Sequence, residues 1–219
     1  MLAAQLINTS FPTVHLLDKA SFALQLMDDY DVQHLCVVTD EKLVGIVDKN
    51  TLLDIDDTAV IASLQDEFIT ASVHADAHFL AGAKLLALHE LSLLPVVSTA
   101  ADLLGVIIAK HMLTALTSHV GADTRGAVIV LEMELRQYSF GEIVRLVETN
   151  DAYVTQLNTA TDLQTGMLLV TIQINRIEVS TIVATFQRYD YSVKYYFGEE
   201  NYQNELKENY NHLLSYLNM

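Results

Sequence analysis

Two side chains three positions apart, Asp48 and Thr51, place a carboxylate and a hydroxyl within reach of one sugar diol. Order along the chain does not matter for such a contact, because a carboxylate accepts hydrogen bonds and a hydroxyl both donates and accepts. Seven of the eight histidines lie before residue 120, which raises the question of metal. His74 and His78 have the i, i+4 spacing of a helix face. His74, however, falls in a segment that reads as a strand, where such positions lie about 13 Å apart. A structural place at a strand-to-helix turn, shared with its counterpart His15, is the favoured reading. Asp54, Asp56 and Asp57 cluster without the glycine and terminal glutamate of a calcium loop and read as a solvated helix face. Cys36 is the only cysteine, which excludes an intrachain disulfide and any multi-cysteine metal site. Within LCVV it reads as a small core residue and not a nucleophile. The chain has no G-x-S-x-G, phosphate loop, dinucleotide fingerprint or H-E-x-x-H, so neither catalysis nor a bound metal is expected.

The elements that position these groups are written twice. Shifting the chain by 59 positions lays Thr13-Val14-His15 on Ser72-Val73-His74, and Leu35-Cys36-Val37-Val38 on Leu94-Pro95-Val96-Val97. One residue enters the next loop, and LVGIV at 43–47 then matches LLGVI at 103–107. Two copies are too few for a solenoid, so they are expected to face each other across a pseudo-twofold axis with a ligand groove between them. Each copy scans as a short strand, a helix, two strands and a helix. Asp18 is expected to cap the first helix, Asp40-Glu41-Lys42 to make a tight turn, and the segment from Asn50 to about Ser63 to be helical.

Charge restricts the partners. Of a net −16, residues 1–120 contribute −10, with five lysines and no arginine. Nucleic acid and anionic membrane both need a basic footprint that is absent, so neither is expected as a partner. No apolar run approaches the roughly 20 residues of a membrane span, and MLAAQLINTSF lacks the features of a signal peptide. With a single cysteine, the cytoplasm is the expected compartment.

The ordered set T-V, a helix ending in a Leu-Met-like pair, h-P-V-V, an acidic turn and h-h-G-h-h, occurring twice over residues 1–118, resembles a tandem pair of cystathionine-β-synthase-type (CBS) domains. The resemblance implies an adenosine-type nucleotide held through S/T-x-x-D after each G-h-h. Here the first copy offers Asp48 and Thr51 in reversed order, and the second offers Ile108 and His111, which has lost the pair. Val14, Cys36 and Pro95, from the strands, complete the expected ligand-binding set with Asp48, Thr51 and His111. The resemblance also implies a homodimer, formed through helices ending in Leu52, Leu53, Met112 and Leu113. With no arginine before Arg125, ATP is expected to bind poorly.

Composition changes near residue 120, where SHVGADTRGA reads as a linker. Beyond it, strands near 126–134, 153–159, 166–174 and 191–197 alternate with helices at 139–150 and 178–189, the βαββαβ order of a ferredoxin-like fold. After a CBS pair, with Gly141 near the first strand-to-helix junction, this resembles an ACT domain. A CBS pair followed by an ACT domain is similar to the acetoin-utilisation accessory proteins of bacteria, which are regulatory. Ser139 and Gly141 are the expected site there, with exposed N–H groups that favour a carboxylate or another anion. The last stretch puts Tyr202, Leu206, Tyr210, Leu213 and Leu217 on one helical face, expected to dock on its own domain or a partner subunit.

The resulting expectation is an α/β (α+β) chain in five parts. Residues 1–62 and 63–119 are the repeats, 120–125 the linker, 126–198 the ACT-like domain and 199–219 a C-terminal helix. Its function is that of a non-catalytic sensor taking a small effector, an adenosine-type nucleotide or an amino acid-like metabolite. The alternative is an interaction and dimerisation module with degenerate clefts that binds a partner protein. A thermal-shift screen separates the two.

Overall fold

A middle strand buried at five consecutive positions, flanked by partly buried strands and followed by helical spacing, builds the first repeat. It runs β1 (Thr13–His15), α1 (Ala20–Asp29), β2 (His34–Thr39), β3 (Lys42–Asp48) and α2 (Lys49–Leu53), then a 3-10 segment over Ile61–Glu67. The second runs β4 (Val73–His74), α3 (Phe79–Leu88), β5 (Leu93–Val97), β6 (Leu103–Ile108) and α4 (Ala109–His119). In each copy the first strand pairs parallel with the second, and the second antiparallel with the third. This is a computed structural model that describes residues 1–198, so the expected C-terminal helix lies outside the described residues. The chain divides into two units, Met1–Leu116 and Thr117–Met219.

Asp40 and Glu41, at φ 49° and 64°, make the two-residue turn that right-handed strand twist favours. In the second copy the connection carries Ala101 at φ 65° and absorbs the extra residue. Two local expectations fail. Asp18 does not cap α1; its Oδ2 accepts the His15 N–H at 2.7 Å and tightens the preceding turn, leaving Lys19 at the N-cap. The helix expected over 50–63 stops at Leu53, because Asp56 accepts the Thr58 N–H at 2.8 Å and this local turn outcompetes the next helical hydrogen bond. Asp54, Asp56 and Asp57 are exposed as expected, but beyond the end of the helix.

The two repeats clasp each other reciprocally. Asn8, before β1, exchanges backbone hydrogen bonds with Val106 of β6 at 2.8 and 3.1 Å. Ile69, before β4, does the same with Ile46 of β3 at 2.9 and 3.0 Å. Gly105 makes the first clasp possible: at φ 143°, a Cβ there would sit 2.6 Å from the Asn8 carbonyl oxygen. The hairpin turns also meet, with Leu103 N–H donating to the Glu41 carbonyl at 2.8 Å. Between these ties lies an apolar seam of Cys36, Leu93 and Val106, all buried, with Phe11, Leu43, Leu103 and Ile108 packed against it.

The second unit runs β7 (Ala127–Met133), α5 (Phe140–Glu148), β8 (Val154–Thr161), β9 (Leu168–Ile174), α6 (Ser180–Arg188) and β10 (Ser192–Phe197). Its strands are ordered β10-β7-β9-β8, all antiparallel, which is the split βαββαβ arrangement. Alternate residues of β7 and β9, such as Ile129, Leu131, Val170 and Ile172, bury against Ile143, Leu146, Ile182 and Phe186 of the two helices.

Candidate functional site

Strand alternation decides what the first unit can offer a ligand. In β1 the side chain of Val14 turns into the core, fully buried, while its neighbours Thr13 and His15 turn outward. They line a groove of about 440 Å³ with Thr9, Phe11, Val38 and Glu41 from the first repeat and Leu103, Leu104, Gly105 and Val106 from the second. The His15 ring lies 3.1 Å from the Val38 carbonyl through Nδ1. A carbonyl only accepts, so Nδ1 carries the hydrogen and Nε2 is the acceptor of the neutral ring. The groove thus combines an apolar floor shared with the seam, two threonine hydroxyls, an imidazole and a carboxylate. Among the described residues that line it there is no lysine or arginine.

The expected ligand residues are only partly gathered. Asp48 and Thr51 are adjacent at the start of α2 but do not line this groove. The Asp48 carboxylate is spent inside the fold: Oδ1 accepts Asn50 N–H at 2.8 Å and Thr51 N–H at 3.4 Å, and Oδ2 lies 3.2 Å from His34 Nε2. His34 in turn accepts Ser92 N–H through Nδ1 at 3.1 Å. Burial holds His34 below the ordinary imidazole pKa, against the pull of the Asp48 carboxylate, so the contact is a hydrogen bond from a neutral ring at pH 7. Cys36 is fully buried in the seam, and burial pushes its thiol up to about 12, which removes it as a nucleophile. Pro95 is buried in β5 opposite Val106, whereas His111 is exposed on α4. Sequence reasoning missed Thr9, Thr13, His15, Glu41 and Gly105. Thr13 stands in the repeated T-V, Glu41 in the acidic turn and Gly105 in h-h-G-h-h, motifs that marked the fold and not the groove.

In the second unit Ser139 caps α5, its Oγ accepting the Glu142 N–H at 3.4 Å, and Gly141 stands open, with nothing within 4 Å of the point a Cβ would occupy. The nearby cavity of about 320 Å³ is lined by Glu132, Glu142 and Asp190 with Tyr189 and Tyr191, a rim that opposes a bound carboxylate. Burial and the hydrogen bond that Tyr191 donates to Glu142 at 3.0 Å push that phenol up to about 12. Among the described residues no cluster of three or more His, Cys, Asp or Glu can hold a metal ion, and no helix is long and apolar enough to cross a membrane.

Known proteins share parts of this geometry. The CBS domain family matches residues 3–57, about a quarter of the chain. A CBS domain pair/ACT domain protein from Thermotoga maritima superposes with a TM-score of 0.50 and 23% identity, over 55% of this chain and 99% of that one. A putative acetoin utilization protein from Vibrio cholerae gives a TM-score of 0.48 and 20% identity, over 57% of this chain and 98% of that one. No curated protein matches the chain. The first of these solved structures shows the fold of a CBS domain pair.

Proposed function

We propose that this protein is a non-catalytic regulatory module that takes a small, uncharged, hydroxyl-bearing ligand of the adenosine class in the groove between its repeats. The observation that carries this reading is the groove itself, walled by both repeats, floored by the seam and within the size range of small-molecule sites. Thr9 and Thr13 supply hydroxyls for a sugar or a ring nitrogen, and Phe11 an apolar face. With a carboxylate and no cation in the lining, each added phosphate weakens binding instead of strengthening it. A ligand that prefers one relative pose of the repeats then shifts the population toward it. A thermal-shift comparison of adenosine, AMP and ATP tests this: adenosine is expected to raise the melting temperature most and ATP least. The reverse order, or no shift with any of the three, removes the reading.

A second reading has its own observation. Leu53 and Leu113 occupy equivalent places in the two copies and are 61% and 62% exposed. Such a paired apolar surface fits an isologous homodimer of the first unit, in which the same patch on each copy covers the other. Light scattering is expected to give a dimer, and Leu53→Glu with Leu113→Glu a monomer. A wild-type monomer at high micromolar concentration overturns it.

A further inference from the structure

We propose that His34 is an acid-operated latch between the two repeats. The ring is 5% exposed and joins three segments: its own strand β2, the end of β3 through Asp48, and the turn before β5 through Ser92. Nδ1 accepts the Ser92 N–H, so the neutral ring carries its hydrogen on Nε2 and donates it to Asp48. Ser92 Oγ, 3.1 Å from Nδ1, accepts the Gln33 N–H at 3.1 Å and so ties the same junction a second time. A second proton has only Nδ1 to occupy, where it opposes the Ser92 N–H and can be met only by Ser92 Oγ, which already accepts from Gln33. The Ser92 N–H then loses its acceptor and is left unpaired at the part-buried junction between the repeats.

The surrounding charges do not rescue the cation. From β3 and α2, Asp48 faces the ring, and its carboxylate is shared with two backbone N–H groups. Lys49 beside it is paired with Asp28 of α1. From the other segments, Asp31 before β2, Glu90 before β5 and Lys110 on α4 are exposed to solvent. Because burial lowers the folded-state pKa of His34, the unfolded chain takes up the proton first as pH falls. The latch therefore stabilises fully above the ordinary histidine pKa and loses that contribution as pH falls from there toward the folded value. The arrangement has no counterpart across the pseudo-twofold, where His34 becomes Leu93 and Asp48 becomes Ile108.

Opening at this end exposes the seam, in which Cys36 lies two residues along β2. The test follows the rate at which a dipyridyl disulfide labels Cys36 in the full chain, relative to the urea-unfolded chain at each pH. The relative rate is expected to rise severalfold between pH 7.5 and 5.5 in the wild type and to stay level in His34→Gln. A level wild-type profile, or an equal rise in both, overturns the latch. Nitrogen NMR of the wild-type imidazoles keeps the proposal falsifiable should the variant not fold. A buried ring protonated at Nε2 alone at pH 7 supports it, and a ring protonated at Nδ1 contradicts it.

Discussion

Replacing Gly105 with alanine is expected to destabilise the first unit by more than about 2 kcal/mol, the upper part of the range for a strained backbone position. Two causes add. The residue sits at φ 143°, where a side chain is strained whatever the space around it. The new Cβ would also lie 2.5 Å from Ile7 Cγ2 and 2.6 Å from the Asn8 carbonyl oxygen. The methyl of Ile7 can turn away, but the carbonyl belongs to the clasp with Val106 and moves only if that clasp opens. The groove should fail with it, since Thr9 and Gly105 both line it beside this clasp. Gly141→Ala is the control: nothing lies within 4 Å of its Cβ position, and alanine in a helix is favoured by up to about 1 kcal/mol. Thermal unfolding of the two variants should therefore move in opposite directions. Equal melting temperatures would mean that Asn8 does not pack against β6.

Leu93→Ala is expected to cost about 2–5 kcal/mol, the range for truncating a fully buried leucine. Leu93 is fully buried and, beside Val106 of its own hairpin, packs with Cys36 of the other repeat in the seam, where neither hairpin can collapse inward without breaking the clasps at its ends. The loss should appear both as a lower denaturation midpoint and as faster labelling of Cys36. Leu17→Ala, at 83% exposure, is expected to change stability by no more than about 0.5 kcal/mol. If the two leucine variants unfold alike, the seam is not where the repeats are held together.

The repeated pattern was legible because its strongest signals are local. Buried runs such as LCVV and LLPVV need no partner to be recognised, and an acidic turn with two residues at positive φ announces its hairpin. The βαββαβ order of the second unit was legible for the same reason, since helix and strand periods differ. The helix expected beyond Leu53 was misread because Leu52, Leu53 and Ile55 continue an apolar spacing, while one aspartate side chain bonding Thr58 ends the helix. Asp48 illustrates the harder case. Its spacing to Thr51 suggested a diol site, yet its carboxylate is consumed by the cap and by His34, fourteen positions away in sequence and opposite it in the sheet. The available clue was asymmetry between copies: His34 against Leu93, Gln33 against Ser92 and Asp48 against Ile108 mark where the second half departs from the first. Groove residues such as Thr13 and Glu41 sit in motifs that mark the fold and not a site, because hydroxyls and carboxylates at strand ends acquire a binding role only when a second chain segment arrives opposite them.

The groove assignment is tested most directly by titrating adenosine into the isotope-labelled protein and mapping backbone amide shifts. The predicted result is a saturable set of changes at Thr9, Thr13, His15, Glu41 and Gly105, with Asn50 and Thr51 little moved. Changes centred on Asn50, Thr51 and His111, or no saturable change at millimolar adenosine, would contradict it.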